Sequence, residues 1–391
     1  MDKPIPYGHH NITREDIEAV VNVLKSDFLT QGPKIKEFEE AFANYIGSKY
    51  AIAVSSGTAA LHLSTLAINV SPGDKVITTP ITFAATANCV LYSGGEIVFA
   101  DIDPKTYLID INKVEEHLKV APKGTYKGII PVDFAGHAVD LEAFRELADY
   151  YGCWIIEDAC HAPGGYFMDS KSVKQNCGNG NFADLAIFSF HPVKHIACGE
   201  GGMITTRNEE LYKKLLMLRS HGITKESELF IENHGGFYYE MQELGFNYRL
   251  TDFQAALGIS QLKRADEGLR RRKEIARNYD DAFKNHPNIK MPFTPIYGGF
   301  QSSRHAHHLY ILEVEDRNNL YEYLRKNNIL AQIHYIPVHY MPYYKKFGWK
   351  KGDFPFAENY YSKCISLPIY PTLASELQQF VIETIFSYYK N

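Results

Sequence analysis

The chain has 391 residues, 45% of them hydrophobic, which is enough apolar material for more than one core. Its 41 basic and 46 acidic residues are interleaved and leave a formal net charge of −5, so no basic stripe awaits a phosphodiester backbone and nucleic acid is excluded as a partner. No window approaches the roughly 20 apolar residues of a membrane span, and Met1 to His10 carry proline, charge and histidine where a secretory signal needs an apolar stretch, so the expected location is the cytoplasm.

In chain order, residues 13–24 and 35–46 carry apolar positions at helical spacing and flank a loop, FLTQGP. From Tyr50 short apolar runs alternate with helical segments: AIAV before SSGTAALHLSTLAI, KVITTP before FAATANCVLYSG, then EIVFADID, GIIPVDF, WIIEDAC, LAIFSF and GMITT. The alternation predicts an α/β fold with a mostly parallel sheet and helices on both faces. In such sheets ligands gather at the carboxyl ends of the strands, where SSGT, TTPIT, DID, EDACHA and SFHPVKH place polar groups. After about residue 250, TDFQAALGISQLKRADEGLRRRKEIARNYDDAF reads as one long helical stretch, and HHLYILEV, AQIHYIPV and SLPIYPTL as a smaller α+β unit. The expected division is a large domain over 1–250 and a small domain over 251–391.

Lys194 stands in FSFHPVKHIACGEGG, on a loop after a β-like run. A lysine there forms a Schiff base with an aldehyde if its surroundings lower its pKa, although most lysines are simply solvated. Thirty-six residues earlier, WIIEDACH puts Asp158 at the end of a buried strand, where its charge needs a cationic partner such as a pyridinium nitrogen; the competing reading is a helix N-cap. Ser55-Ser56-Gly57-Thr58-Ala59-Ala60, between a strand and a helix, offers N–H groups and hydroxyls to a phosphate, or is an ordinary helix start.

No GxxxxGK(S/T) loop is present, and Gly178-Asn-Gly180 lacks the spacing of a dinucleotide site. His305, His307, His308, His334 and His339 lack a carboxylate at familiar ligand spacing, so no metal is expected. The six cysteines form no CxxC pair and read as free thiols used in packing. Tyr7, Phe83, Tyr238, Tyr239, Tyr335, Tyr343 and Tyr344 lie in polar contexts and could stack on a ring or base.

The set SSGTAAL, TPITFAATANCV, FADIDP, IIEDACHAPGG, FSFHPVKHIACGEGGM, LGFNYRLTDFQAALGISQL, HHLYIL, IHYIPVHYMPYY and SLPIYPTL resembles the sugar-nucleotide aminotransferases of the DegT/DnrJ/EryC1/StrS family, nearly end to end. The resemblance implies a fold type I homodimer with pyridoxal 5′-phosphate (PLP) between the subunits. Lys194 matches the Schiff-base lysine, Asp158 the partner of the pyridine nitrogen, His161 the polar neighbour of the ring and Phe83 its stacking aromatic. Thr58, Ala59 and Ser189, with the adjoining Ser56 and Gly57, resemble the phosphate cup, and Asn247 the residue that reaches the phosphate from the partner subunit. Tyr7, Phe28-Leu29-Thr30-Gln31 and His334-Tyr335-Ile336-Pro337 resemble segments that contact the sugar nucleotide.

PYG, SDFLTQGP, PVDFAGH, RSHGIT and YYEMQELGFNYRLTD are most similar to the branch that aminates a UDP-linked 4-keto-6-deoxy-N-acetylhexosamine for pseudaminic acid. That implies a ping-pong reaction with L-glutamate as donor. Competing readings are C4 amination of another nucleotide sugar, such as the UDP-4-keto pentose of aminoarabinose synthesis, a dehydratase, in which a histidine stands at the Lys194 position, and a non-catalytic protein that binds the cofactor or a sugar nucleotide. The sequence departs from the family pattern in FMDSKSVKQNCGNGNFADL and in HAHH, where a Trp-His pair is common; both bear on substrate specificity.

Overall fold

The apolar runs after Tyr50 assemble, in a computed structural model that describes residues 3–232, 234–291 and 305–390, into one seven-stranded sheet. Its strands are β1 (Tyr50–Val54), β2 (Lys75–Thr78), β3 (Glu96–Phe99), β4 (Tyr126–Ile130), β5 (Trp154–Asp158), β6 (Leu185–Ser189) and β7 (Gly202–Thr206), in the spatial order β1-β7-β6-β5-β4-β2-β3. β2 to β6 pair in parallel, whereas β7 is antiparallel to both β6 and β1. The reversal follows from the connection: β6 and β7 are joined by the loop 190–201 with no crossover helix, and a return without a crossover makes neighbours antiparallel. β6 reads Leu-Ala-Ile-Phe because both of its faces are covered.

The helices flanking this sheet are α1 (Arg14–Leu24), α2 (Pro33–Ile46), α3 (Gly57–Ala67), α4 (Ala84–Tyr92), α5 (Ile111–Val120), α6 (Leu141–Tyr151) and α7 (Glu209–Arg219). Thr13 starts α1 with a capping box shared with Asp16, and Gly32 and Pro33 start α2, which fits the periodicity read from the sequence.

The long helical stretch after residue 250 is two helices, α8 (Asp252–Leu262) and α9 (Ala265–Phe283). They serve different cores: Ala255 of α8 packs with Phe38, Phe42 and Phe190, and Ile275, Tyr279 and Phe283 of α9 pack with Leu312, Leu324, Ile365 and Val381. One straight helix cannot face both, and the chain bends at Arg264, whose guanidinium reaches the buried Asp16 at 2.5 Å.

The second core belongs to an antiparallel sheet of β8 (Ile289–Lys290), β9 (Tyr310–Val314) and β10 (Cys364–Leu367), packed with the helices Arg317–Lys326 and Ser375–Lys390. Ile5–Pro6 pairs in parallel with Ile329–Leu330, so the N-terminal segment is tied to this C-terminal unit and is steered from it toward the large sheet. No helix among the described residues is long and apolar enough to cross a membrane.

Candidate active site

The carboxyl ends of β2, β4, β5 and β6 and the start of α3 surround a cleft of about 410 Å³. Asp158 ends β5 inside it and is 5% exposed. The hydroxyl of Thr86 donates to its Oδ2 at 2.7 Å and the N–H of Cys160 to its Oδ1 at 3.2 Å. Thr82 backs Thr86 at 2.8 Å. Among the described residues no cation lies within ion-pair distance of this carboxylate; Lys194 acts on it only through space, so it faces the cleft held by hydrogen bonds. Beneath it, Asp133, Glu157 and Cys177 form the one group of potential metal ligands that converge among the described residues; the histidines weighed in the sequence do not. Burial pushes Asp133 up to about 6 and Glu157 upward, as for two carboxyls sharing a proton.

His161 follows the strand end, and the N–H of Ala135 donates to its Nδ1 at 3.2 Å. That contact places the proton of a neutral ring on Nε2, which meets the hydroxyl of Tyr335 at 3.2 Å. Burial and, secondarily, Lys194 hold His161 well below the ordinary histidine range, so the ring is neutral near pH 7. His308 packs against it with ring centroids 4.3 Å apart. Ala135 adopts a left-handed conformation, and Gly136 follows at φ +98°, where a Cβ would lie 2.9 Å from the His161 carbonyl and 3.0 Å from the His307 nitrogen. Glycine at 136 therefore lets the segment around His308 lie directly on the cleft floor.

Lys194 reaches the cleft from the loop after β6, and its backbone N–H is bonded to the His191 carbonyl at 2.8 Å. Burial lowers its pKa from the ordinary lysine value, Cys160 and Asp158 oppose the shift, and Arg272 adds to it. The result favours a free amine more than on an exposed lysine. Cys160, read as a packing residue, instead lines the cleft beside Asp158, and burial keeps its thiol protonated.

Across the cleft, Ser56 caps α3 and its Oγ accepts the Ala59 N–H at 3.1 Å. Ser56, Gly57, Thr58 and Ser189 line this end; Ala59 does not, and its N–H is engaged in the cap. The N–H groups of Gly57 and Thr58 open onto the cleft at a helix N-terminus, which suits a phosphate. Gly202 of β7 lets the helix start lie this close: a Cβ there would be 2.4 Å from the Ser56 carbonyl oxygen. Phe83, 62% exposed, stands at the mouth with its ring 6.2 Å from that of Tyr335. An unpaired carboxylate, a buried amine, flanking rings and a helix N-terminus around one space fit PLP.

Of the remaining expected residues, Tyr7, His334 and Tyr335 line the cleft, with the Tyr7 and His334 rings 5.0 Å apart. Ile336 and Pro337 lead away from it. Phe28, Leu29, Thr30, Gln31 and Asn247 are not in this chain's own cleft: Phe28 borders a separate hollow between α1, α2 and α8, Thr30 bridges to Thr251, and Asn247 bridges to Ser220. Thr82, Thr86, Ala135 and Glu200 were not anticipated; the TPITFAATA motif held the only signal, a threonine one turn into the helix after a strand end.

A model of the DegT/DnrJ/EryC1/StrS aminotransferase family matches residues 10–386. The chain belongs to that family. This DegT/DnrJ/EryC1/StrS chain is accordingly a sugar aminotransferase, as the motifs implied. It is similar to the spore coat polysaccharide biosynthesis protein SpsC of Bacillus subtilis, at 41% identity over 97% of this chain and 96% of that protein. It is also similar to the UDP-4-amino-4,6-dideoxy-N-acetyl-beta-L-altrosamine transaminase of Campylobacter jejuni, at 38% identity over 98% of this chain and 97% of that one. Among solved structures, Helicobacter pylori PseC, an aminotransferase involved in the biosynthesis of pseudoaminic acid, superposes with a TM-score of 0.87 at 33% identity, covering 99% of this chain and 100% of that one. The PLP form of a sugar aminotransferase from Streptococcus pneumoniae gives 0.87 at 29% identity, covering 98% of each chain. With these neighbours the fold type I architecture expected of the family is borne out.

Proposed function

We propose that this enzyme moves the amine of L-glutamate to the 4-keto carbon of a UDP-linked 4-keto-6-deoxy-N-acetylhexosamine, giving the 4-amino sugar of the pseudaminic acid route. Its cofactor is pyridoxal 5′-phosphate, which when bound supplies an aldehyde to take up the amine and a protonated ring to withdraw electrons from the reacting carbon. The observation that carries the reading is the convergence on one cleft of Lys194 and of Asp158, whose carboxylate is in no ion pair among the described residues. Asp158 keeps the ring nitrogen protonated, and the N–H groups of Gly57 and Thr58 with Ser56 and Ser189 hold the phosphate. Phe83 would stack on the ring and His161 would neighbour it. Lys194 Nζ, as a free amine, takes the proton from the donor's α-carbon and in the second half-reaction delivers one to sugar C4. 2-Oxoglutarate leaves before the sugar reacts, so the kinetics are ping-pong.

Tyr7, His334 and Tyr335 orient the sugar. The enzyme works as a homodimer in which Asn247 and Phe28 to Pro33 of one subunit complete the other's cleft. That arrangement is supported by their distance from the cleft of their own chain and by exposed apolar side chains at Phe28, Ile231 (87%), Phe237 (80%) and Leu244 (79%).

The test is an absorbance titration of the PLP-loaded enzyme. Glutamate is expected to bleach the cofactor band and the UDP-4-keto-6-deoxy-N-acetylhexosamine to restore it, with the aminated product seen by mass spectrometry. Restoration by the UDP-4-keto pentose alone would reject the proposed sugar and keep the transfer; no bleaching by glutamate would reject the donor.

A further inference from the structure

Behind Lys194 lies a second cleft, of about 330 Å³, which shares Lys194 with the first and no other lining residue. Four arginines line it, Arg264, Arg270, Arg271 and Arg272, together with His195 and a single carboxylate, Glu267. Three of the four have carboxylate partners: Arg264 reaches Asp16 at 2.5 Å, and Arg270 and Arg271 both lean on Glu274, the latter at 3.3 Å.

Arg272 has none among the described residues. It is 2% exposed, and its hydrogen bonds go to the carbonyl oxygens of Ile369 at 2.9 Å, His307 at 3.2 Å and His308 at 3.3 Å. Its Nε is buried without a partner among the described residues. Carbonyl dipoles orient a guanidinium but leave its charge uncancelled, and a buried charge without a counter-ion is destabilising. The cost registers in Arg272 itself, whose pKa burial pulls down to about 9. A cation in want of an anion, beside an open cleft whose mouth carries three more guanidinium forks, is the arrangement that grips a tetrahedral oxyanion.

We propose that this rear cleft binds a phosphate group, with Arg272 at its base supplying the uncompensated charge and Arg270 and Arg271 at its mouth supplying donors. The phosphate comes either free from solution or as part of a nucleotide tail; the recognising chemistry is the same. The site is separate from the phosphate cradle at α3, and the inference does not depend on which sugar the enzyme aminates.

Inorganic phosphate titrated into the PLP-loaded enzyme, followed by isothermal calorimetry and by broadening of the phosphorus resonance, tests this directly. With the cradle already filled by the cofactor, wild type is expected to bind one further phosphate, and the exposed-side double variant R270A/R271A at least about tenfold more weakly. R272K, which keeps the charge and loses the fork, should fall between them, and it guards against misfolding of a neutral replacement. Repeating the titration with saturating UDP identifies the source: coexistence means free phosphate, whereas competition together with weaker UDP binding by R270A/R271A means a nucleotide phosphate. Equal phosphate affinity in wild type and R270A/R271A, or no phosphate bound by folded wild type, would overturn the proposal.

Discussion

Asp158 receives hydrogen bonds from Thr86 and Cys160 and is in no ion pair among the described residues, so its carboxylate is available to a bound ring nitrogen. Asp158→Asn keeps the shape and removes the charge. It is expected to retain PLP and lose on the order of a hundredfold in kcat, measured in single turnovers with glutamate; an unchanged rate would reject the electron-sink role. Thr86→Val removes a donor from a buried carboxylate oxygen and should cost about 1–3 kcal/mol of stability by denaturant unfolding, with a smaller loss of rate in the same direction. Lys194 and Asp158 were legible in the sequence because each sits at the end of an apolar run, where the chemistry of one residue type is visible locally. Thr86 and Ala135 were not, since they act on residues 72 and 26 positions away, and nothing in a linear pattern says which hydroxyl or N–H will face a strand end after folding.

Between elements, the close approach of β7 to the start of α3 depends on a missing side chain at position 202. Gly202→Ala has to push the Ser56 carbonyl aside and with it the N–H groups proposed to hold the cofactor phosphate. PLP affinity, read by dialysis against the apoenzyme, should weaken about tenfold, roughly one lost charge-assisted hydrogen bond, while circular dichroism stays native; unchanged affinity would separate the cradle from the helix start. The strand and helix alternation was readable because both faces of the sheet are covered and each strand is a nearly unbroken apolar run. The division between α8 and α9 was not, because the helical period runs through it; the bend is fixed by an ion pair from Arg264 to Asp16, 248 residues earlier. The two-residue pairing of Ile5–Pro6 with Ile329–Leu330 is too short to leave a pattern, yet it places Tyr7 in the cleft.

Across the whole molecule, burial holds His137 near pKa 4 and His307 and His334 near 3, and keeps His161, His195, His305 and His308 below the ordinary range. In the unfolded chain these rings titrate near 6.5, so below that pH the unfolded state takes up protons that the folded state refuses. The stability present above about pH 6.5 is therefore lost as pH falls toward 3. The thermal midpoint of the apoenzyme should drop steadily between pH 7 and 5, and a flat profile there would mean the histidines are not held neutral. The proposed sharing of residues between subunits makes a second prediction at this scale. Lys194→Ala and Asn247→Ala homodimers should each be impaired, and subunits of the two mixed and re-associated should regain activity from one intact cleft. No recovery would argue that each chain's site is self-sufficient.

The account stands or falls on Lys194 as the residue that carries the cofactor. Borohydride reduction of the PLP-loaded enzyme, followed by proteolysis and peptide mass spectrometry, reads that attachment directly. A pyridoxyl group on the peptide containing Lys194, absent from Lys194→Ala, is the predicted result. Modification of another lysine, or none under conditions where the cofactor is bound, would contradict it.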